Sequence, residues 1–257
     1  MTDKVEVHNK MILIILTYHG YEKYCNDFVE YLKYTWPNHP EIWFLTDGKS
    51  INYPNVISID TDQWLIVLHE GLKQIKKIYP QLDYAYLVLE DLIPLVKISN
   101  SHLAKVEKIV TQHQLDCVSF VVYDHKYLGN DLVDIDGINF YRLPSDFPFY
   151  SQLQPAIWNV EYLLNICQYA YEHNTLDPWS FEKISLGKQH YVSEYLWPSV
   201  MHGFLHDKHP VWESIWKIKT PEGASFRNSL IREYMSWGFN RTLEKITENK
   251  LLKFLPR

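Results

Sequence analysis

The segment Met11-Ile12-Leu13-Ile14-Ile15-Leu16-Thr17 is apolar up to its closing threonine. So short and unbroken a run reads as a β-strand buried on both faces, and such a strand needs helices above and below it. The next segments supply them. Residues 21–35 put Tyr24, Phe28, Leu32 and Thr35 on one helical stripe. Glu41 to Leu45 reads as a second strand, ended by Thr46-Asp47-Gly48, and Asn55 to Ile59 as a short third strand ending at Asp60. The clearest helix covers 62–79. Trp64, Leu68, Leu72, Ile75 and Tyr79 share its inner face, Lys73, Lys76 and Lys77 lie mostly on the other, and Pro80 closes it. Tyr84 to Leu89 is a strand that runs straight into Glu90-Asp91. A helix over 101–113, with Leu103, Val106, Ile109 and Val110 inward, leads to a strand from Val118 to Tyr123 that ends at Asp124-His125. Strands alternating with amphipathic helices predict an α/β fold, a mostly parallel Rossmann-like sheet flanked by helices.

The pattern changes near residue 125. Gly, Asp, Pro and aromatic residues crowd 124–150, which reads as loops around a short strand from Ile138 to Leu143. Gln154 to Trp158 is expected as another strand, and 160–173 as a helix with Val160, Leu164, Cys167 and Tyr171 inward. The remainder is aromatic, irregular and rich in histidine. There are no repeats. The chain is expected to form a single domain with a nucleotide-binding half over about 11–125, an acceptor-shaping half over about 126–240, and a basic tail over 241–257.

The 257 residues are 46% hydrophobic and 22% charged, a globular balance that argues against disorder. A net charge of −6 and no clustered Lys/Arg face in the main body exclude a nucleic-acid partner. Cys25, Cys117 and Cys167 are odd in number and far apart, with no zinc or disulfide spacing. They read as small core hydrophobes in a reducing compartment. The run 11–17 is too short to cross a bilayer, and the preceding MTDKVEVHNK mixes charges where a signal peptide would be basic. A cytoplasmic location is therefore expected. Aromatic residues make up 15% of the chain; such rings either fill a core and its rim or form flat carbohydrate platforms.

Glycine is scarce, at 9 residues, and neither G-x-G-x-x-G nor G-x-x-x-x-G-K-[ST] occurs. An α/β protein that binds a diphosphate without those loops needs another counter-charge, and a divalent cation on carboxylates, Mg²⁺ or Mn²⁺, can provide it. Tyr84-Ala85-Tyr86-Leu87-Val88-Leu89-Glu90-Asp91 would deliver two acids to the C-terminal edge of a buried strand, where open α/β sheets bind ligands. An exposed acidic turn, or a helix N-cap at Asp91, is the alternative reading.

The order of strand, helix, strand ending in Thr-Asp-Gly, strand, a helix opened by Asp62-Gln63-Trp64, and a strand ending in acids resembles the GT-A glycosyltransferases, notably the small enzymes of bacterial polysaccharide clusters. Ser151-Gln152-Leu153-Gln154-Pro155-Ala156-Ile157-Trp158, followed by a helix and then Asp177-Pro178-Trp179-Ser180-Phe181-Glu182, looks like the Ser/Gln/Trp and P-W-x-F-E elements found there. The resemblance covers roughly residues 11–205. It implies that Asp91 and Glu90 form a D-x-D-like element for the metal and the donor diphosphate. It places Thr17, Tyr18 and His19 near the nucleotide base or ribose, and Asp47 against the nucleoside. Trp64 is then either a stacking surface for the base or a core anchor. Gln154, Trp158 and Trp179 become substrate-binding candidates. The chain departs from the family pattern at Leu92, which stands where the last acid of D-x-D would be. Either Asp91 carries the metal with help from Glu90, or metal binding is weakened.

Glu182 is the candidate catalytic base, since inverting sugar transfer needs a carboxylate to take the acceptor's proton. Trp179 and Phe181 beside it could raise its proton affinity by desolvation. The alternative is an acid that balances a helix N-terminus, and for Asp47 the alternative is turn formation before Gly48. His190, His202, His206 and His209 form a loose cluster in which His202 and His206 could share a helical face. In the tail, Arg241, Lys245, Lys250, Lys253 and Arg257 flank an apolar stripe that either touches an anionic membrane at its inner face or packs on its own domain. The expected function is a glycosyltransferase taking a nucleotide-sugar donor and a glycan or lipid-linked glycan acceptor. A non-catalytic GT-A-like module that binds glycan or protein is the alternative. A sugar nucleotidyltransferase would need a Gly-rich basic loop that Tyr18-His19-Gly20-Tyr21 does not supply.

Overall fold

The computed structural model describes residues 11–18, 20–48, 51–90, 92, 94, 97–120, 131–147, 149–193, 205, 206, 209, 210, 228, 231, 232 and 235. Two compact units divide between Ser199 and Val200.

The first unit begins with β1 (Ile12–Leu16), α1 (Glu22–Thr35), β2 (Glu41–Thr46), β3 (Val56–Ser58), α2 (Trp64–Ile78) and β4 (Tyr84–Leu89). It continues through α3 (Asn100–Gln112), β5 (Cys117–Ser119), β6 (Leu132–Ile135), β7 (Ile138–Arg142) and β8 (Ala156–Asn159). α4 (Val160–Glu172), α5 (Pro178–Phe181) and β9 (His190–Ser193) complete it. All nine strands form one sheet in the order β3-β2-β1-β4-β8-β5-β9-β7-β6. β1 pairs in parallel with β2 and β4, and β2 with β3. The expectation of a mostly parallel sheet fails beyond β4. β8 runs antiparallel to both β4 and β5, and β7 antiparallel to both β9 and β6, while β5 and β9 are parallel. The fold is mixed α/β. β8 comes out antiparallel because the chain returns to the C-terminal edge before entering it, pairing Ala156 with Leu87 and Asn159 with Tyr84.

Every residue of β1 is buried, as its unbroken apolar sequence demands. One face of the sheet contributes Ile12, Ile14, Leu16, Leu45, Ala85, Leu87 and Trp158 to a core shared with Leu68 and Leu72 of α2, Leu163 and Ile166 of α4, and Phe181 of α5. On the opposite face Tyr86 stands edge-on to Trp36 at 5.1 Å and stacks over Phe120 at 6.2 Å, while its hydroxyl donates to Glu107 of α3 at 2.8 Å. The stripes expected for α1 and α3 are all buried. That of α4 is turned. Leu163, Ile166, Cys167 and Ala170 face the core, whereas Tyr171 is 57% exposed. A tyrosine can be read as core or rim, and here the smaller residues make the close contact.

Side chains cap the helices where the sequence offers them: Asn159 Oδ1 accepts from the Tyr162 N–H at 2.9 Å, and Asp177 Oδ1 from the Ser180 N–H at 2.8 Å. Asp136-Gly137, with φ of 53° and 79°, turns β6 into β7. This left-handed pair is the tight hairpin turn that Asp-Gly favours, and it creates a strand where only loop was expected. Cys25, Cys117 and Cys167 are buried and free, as expected of core residues.

In the second unit, β10 (Leu205–His206) and β11 (His209–Pro210) pair antiparallel, with His206 opposite His209. His206 therefore does not lie on the helical face anticipated for it with His202, which is outside the described residues. The 241–257 tail lies outside them as well. Among the described residues no helix is long and apolar enough to cross a membrane.

Gly71 of α2 fixes how closely that helix approaches β2. A Cβ there would lie 2.7 Å from Leu45 Cδ2 and 2.8 Å from Cδ1. Leu45 is fully buried and has no room to retreat. Gly71→Val is expected to destabilise the fold by about 2 kcal/mol through overpacking, read as a fall in the urea midpoint at unchanged m-value.

Candidate functional site

Because β1 to β4 are parallel, their C-terminal ends share one edge of the sheet, and the sequence-predicted donor residues follow them there. Thr17, wholly buried, continues the pairing of β1 by donating its N–H to Leu45 O at 2.9 Å. Tyr18 is half-buried and packs against the α2 core. Asp47 follows β2 and is also half-buried. Gly48 beside it has a φ of 91°, so Thr46-Asp47-Gly48 does form the turn that ends the strand. Glu90 follows β4, is 8% exposed, and its charge adds to the burial that pushes the Cys25 thiol up to about 12. Cys25 Sγ also reaches Thr17 Oγ1 at 4.0 Å. Thr17, Cys25 and Glu90 are thus brought together from β1, α1 and β4. His19 and Asp91 lie outside the described residues.

Leu92 is not a displaced ligand position. It is 2% exposed and donates its N–H to Leu89 O at 3.1 Å, so it belongs to the core. Among the described residues no group of three His, Cys, Asp or Glu side chains is arranged to hold a metal ion.

The segment before β8 reaches the same edge from the other direction. Ser151 donates its N–H to Glu182 O at 2.9 Å and its hydroxyl to Ile184 O at 2.6 Å. Leu153 N–H donates to Glu182 Oε1 at 2.9 Å. Glu182 is not the helix N-terminal acid of the alternative reading. It is the C-cap of α5, and Asp177 fills the N-terminal role. At 5% exposure its carboxyl is held above the ordinary range by burial, opposed by the Leu153 N–H. Gln154 is 3% exposed with its Oε1 unpaired among the described residues, and Gln152 is fully buried with both amide atoms unpaired. In the sequence nothing distinguishes Gln152 from a solvated polar residue.

Two predicted contacts turn out to be core. Trp64 is 6% exposed, spends its N–H on Leu176 O at 2.7 Å and meets Phe181 edge-on at 5.1 Å, which leaves no open face for a base. Trp158 is wholly buried in β8 between His190 and Tyr162, out of reach of a substrate. Trp179, by contrast, is 57% exposed on α5 and available to a ligand.

His190 is a buried packing residue. Its Nδ1 lies 2.5 Å from Tyr150 O, so that nitrogen carries the proton and donates. Nε2 then accepts from the Tyr162 hydroxyl at 3.0 Å. The ring is stacked on Tyr150 at 4.3 Å.

No family model matches the sequence, and no curated protein matches it. Among solved structures the chain is similar to the crystal structure of A197 from STIV, with 12% identity, a TM-score of 0.41, and coverage of 72% of this chain and 82% of that one. A likeness of that degree carries no functional argument.

Burial lowers His190 from 6.5 to about 4, the Tyr150 carbonyl opposing. The folded state thus binds the proton less well than the unfolded chain, so this contribution is complete above pH 6.5 and is lost as pH falls through 4. It amounts to about 3 kcal/mol. Unfolding measured across that window is expected to show this loss, and His190→Gln to flatten the slope.

Proposed function

We propose that the chain is a GT-A-type glycosyltransferase, moving a sugar from a nucleotide-sugar donor to a hydroxyl of a glycan or lipid-linked glycan with inversion. The observation that carries this reading is Glu182, a buried carboxylate tied by one backbone N–H, with its proton affinity raised by its surroundings. That is the condition a general base needs near neutral pH. In the reaction the acceptor oxygen attacks the anomeric carbon while Glu182 takes its proton, and the bond from that carbon to the diphosphate oxygen breaks with the electron pair leaving on the diphosphate. Glu182 Oε1 accepts from the Leu153 N–H, which orients the carboxylate. On the donor side, Thr17, Tyr18, Asp47 and Glu90 lie along the strand ends at which α/β sheets bind nucleotides. A divalent cation would be held by Asp91 with Glu90. Glu90 alone is too small a donor set for Mg²⁺ or Mn²⁺.

The burial of Leu92 favours a second reading, a GT-A-like module that binds glycan or protein without transfer. Thermal shift with UDP, GDP, CMP and dTDP nucleotides, with and without Mn²⁺, decides whether a donor binds. Stabilisation by none of them sinks the enzyme reading, because a ligand of the folded state must raise the melting point. With the stabilising donor, Asp91→Asn is expected to abolish transfer or Mn²⁺-dependent binding in an enzyme and to change little in a module.

Glu182→Gln gives a sharper test of the base. Its amide oxygen can still accept from Leu153, and the variant removes a buried charge. A carboxyl whose folded value is raised favours folding only at low pH and loses that contribution as pH rises through the folded value. Above that point Glu182→Gln should be at least as stable as the parent, while transfer falls by about 10³-fold. Retained transfer would remove Glu182 from the base role.

A further inference from the structure

The opposite edge of the sheet carries a separate cavity. The segments leading into β6 and β9 and the one leaving β7 converge there, because β7 runs against its two neighbours. They enclose a volume of about 380 Å³, with Asp131, Arg142, Ser145, Tyr150, Ser185 and Lys188 among its walls. That is the size of a small-molecule site. It lies where the parallel strands begin, whereas Glu90 follows the end of β4 and Gln154 precedes the paired start of β8.

Two cations face this space on long, weak pairings. Arg142 Nη1 is 3.8 Å from Asp131 Oδ2 and Lys188 Nζ is 3.5 Å from Asp116 Oδ1, both beyond hydrogen-bond length. Arg142 Nε is buried without an acceptor among the described residues, while its guanidinium sits over the Tyr191 ring at 6.0 Å. A buried guanidinium N–H that has lost water and gained no acceptor is the donor a planar oxyanion satisfies. The Tyr150 ring, Leu143 and Pro144 add an apolar wall, and Tyr150 is fixed by a hydrogen bond from its hydroxyl to Lys188 O.

We propose that this cavity is a second ligand site, for a small anion bearing a phosphate or carboxylate, with Arg142 as its fork and Lys188 as the supporting charge. It does not rest on the sugar-transfer reading, since it shares no residue with the edge that holds Glu90, Gln154 and Glu182.

The test is thermal unfolding of the full chain titrated with inorganic phosphate and, separately, with glucuronate, ionic strength being held constant with sodium chloride. A saturable rise in melting temperature is expected, with the half-saturating concentration raised about tenfold or more in Arg142→Gln. A response to phosphate alone assigns a phosphate-bearing ligand, and a response to glucuronate alone a carboxylate-bearing one. Lys188→Gln, at an exposed side chain, carries the same comparison if Arg142→Gln does not fold, with a smaller increase. No saturable rise with either anion overturns the proposal, as does a titration that both substitutions leave unchanged. Glu182→Gln should titrate like the parent, so the two sites stand or fall separately.

Discussion

β8 is the strand that joins the two halves of the sheet, because it pairs antiparallel with β4 on one side and β5 on the other. Trp158 pairs with Ala85 of β4 and with Cys117 of β5, and Ile157 with Tyr86 and Val118. Its backbone therefore closes the gap between a parallel block built by the first part of the chain and a mixed block built later. Were it absent, β4 and β5 would present unpaired edges in the middle of a core, at the cost of every buried backbone group along them. Its direction matters as much as its place. Entering at Ala156, opposite the C-terminal end of β4, it forces residues 151–155 up to the edge where β1, β2 and β4 end. The one sheet thus spans both the segment expected to bind nucleotide and the segment expected to shape the acceptor.

Below that strand lies a polar layer buried inside an otherwise apolar core. Ser151, Glu182 and His190 each find defined partners, and each partner is a backbone group or an adjacent tyrosine. Such bonds contribute modestly when made, but leaving one unmade costs about 1–3 kcal/mol. Their geometry thereby fixes the 150–154 segment against 182–190 more firmly than apolar packing would. Both amide atoms of Gln152 and Oε1 of Gln154, unpaired among the described residues, stand out against this background. They carry the same potential penalty, which an added hydrogen-bond partner would relieve.

The first half of the fold is legible because its signals are local. Apolar runs of strand length and 3.6-residue stripes locate β1, α1, β2, α2, β4 and α3 without reference to anything distant. The errors fall where a distant neighbour decides. Leu132-Val133-Asp134-Ile135 is a short strand at the sheet's edge, largely exposed, and the signal for it in the sequence is the Asp136-Gly137 hairpin turn beside it. His190 to Ser193 is buried because β5 and β7 flank it, a fact no window of sequence contains. Trp64 and Trp158 look like ligand contacts only so long as Phe181 and His190 are not known to cover them. The sheet's mixed direction is invisible for the same reason: antiparallel entry of β8 depends on where residues 120–155 travel, not on what they are.

Asp177 and Glu182 show how two carboxylates of one short segment are driven apart. Asp177 is exposed and accepts from the Ser180 N–H at the start of α5, which holds its carboxyl below the ordinary range. Glu182 closes the same helix from inside the protein, and burial raises it. A carboxylate kept only to cap a helix gains from the first arrangement, since the helix N-terminus favours charge. Nothing in α5 rewards the second arrangement, because the C-terminal end of a helix repels a negative group. The Leu153 hydrogen bond returns part of what burial costs and leaves the rest uncompensated. Burial opposed by a single hydrogen bond is also the environment in which a carboxyl can exchange a proton, and this is the ground on which Glu182 is proposed as the base.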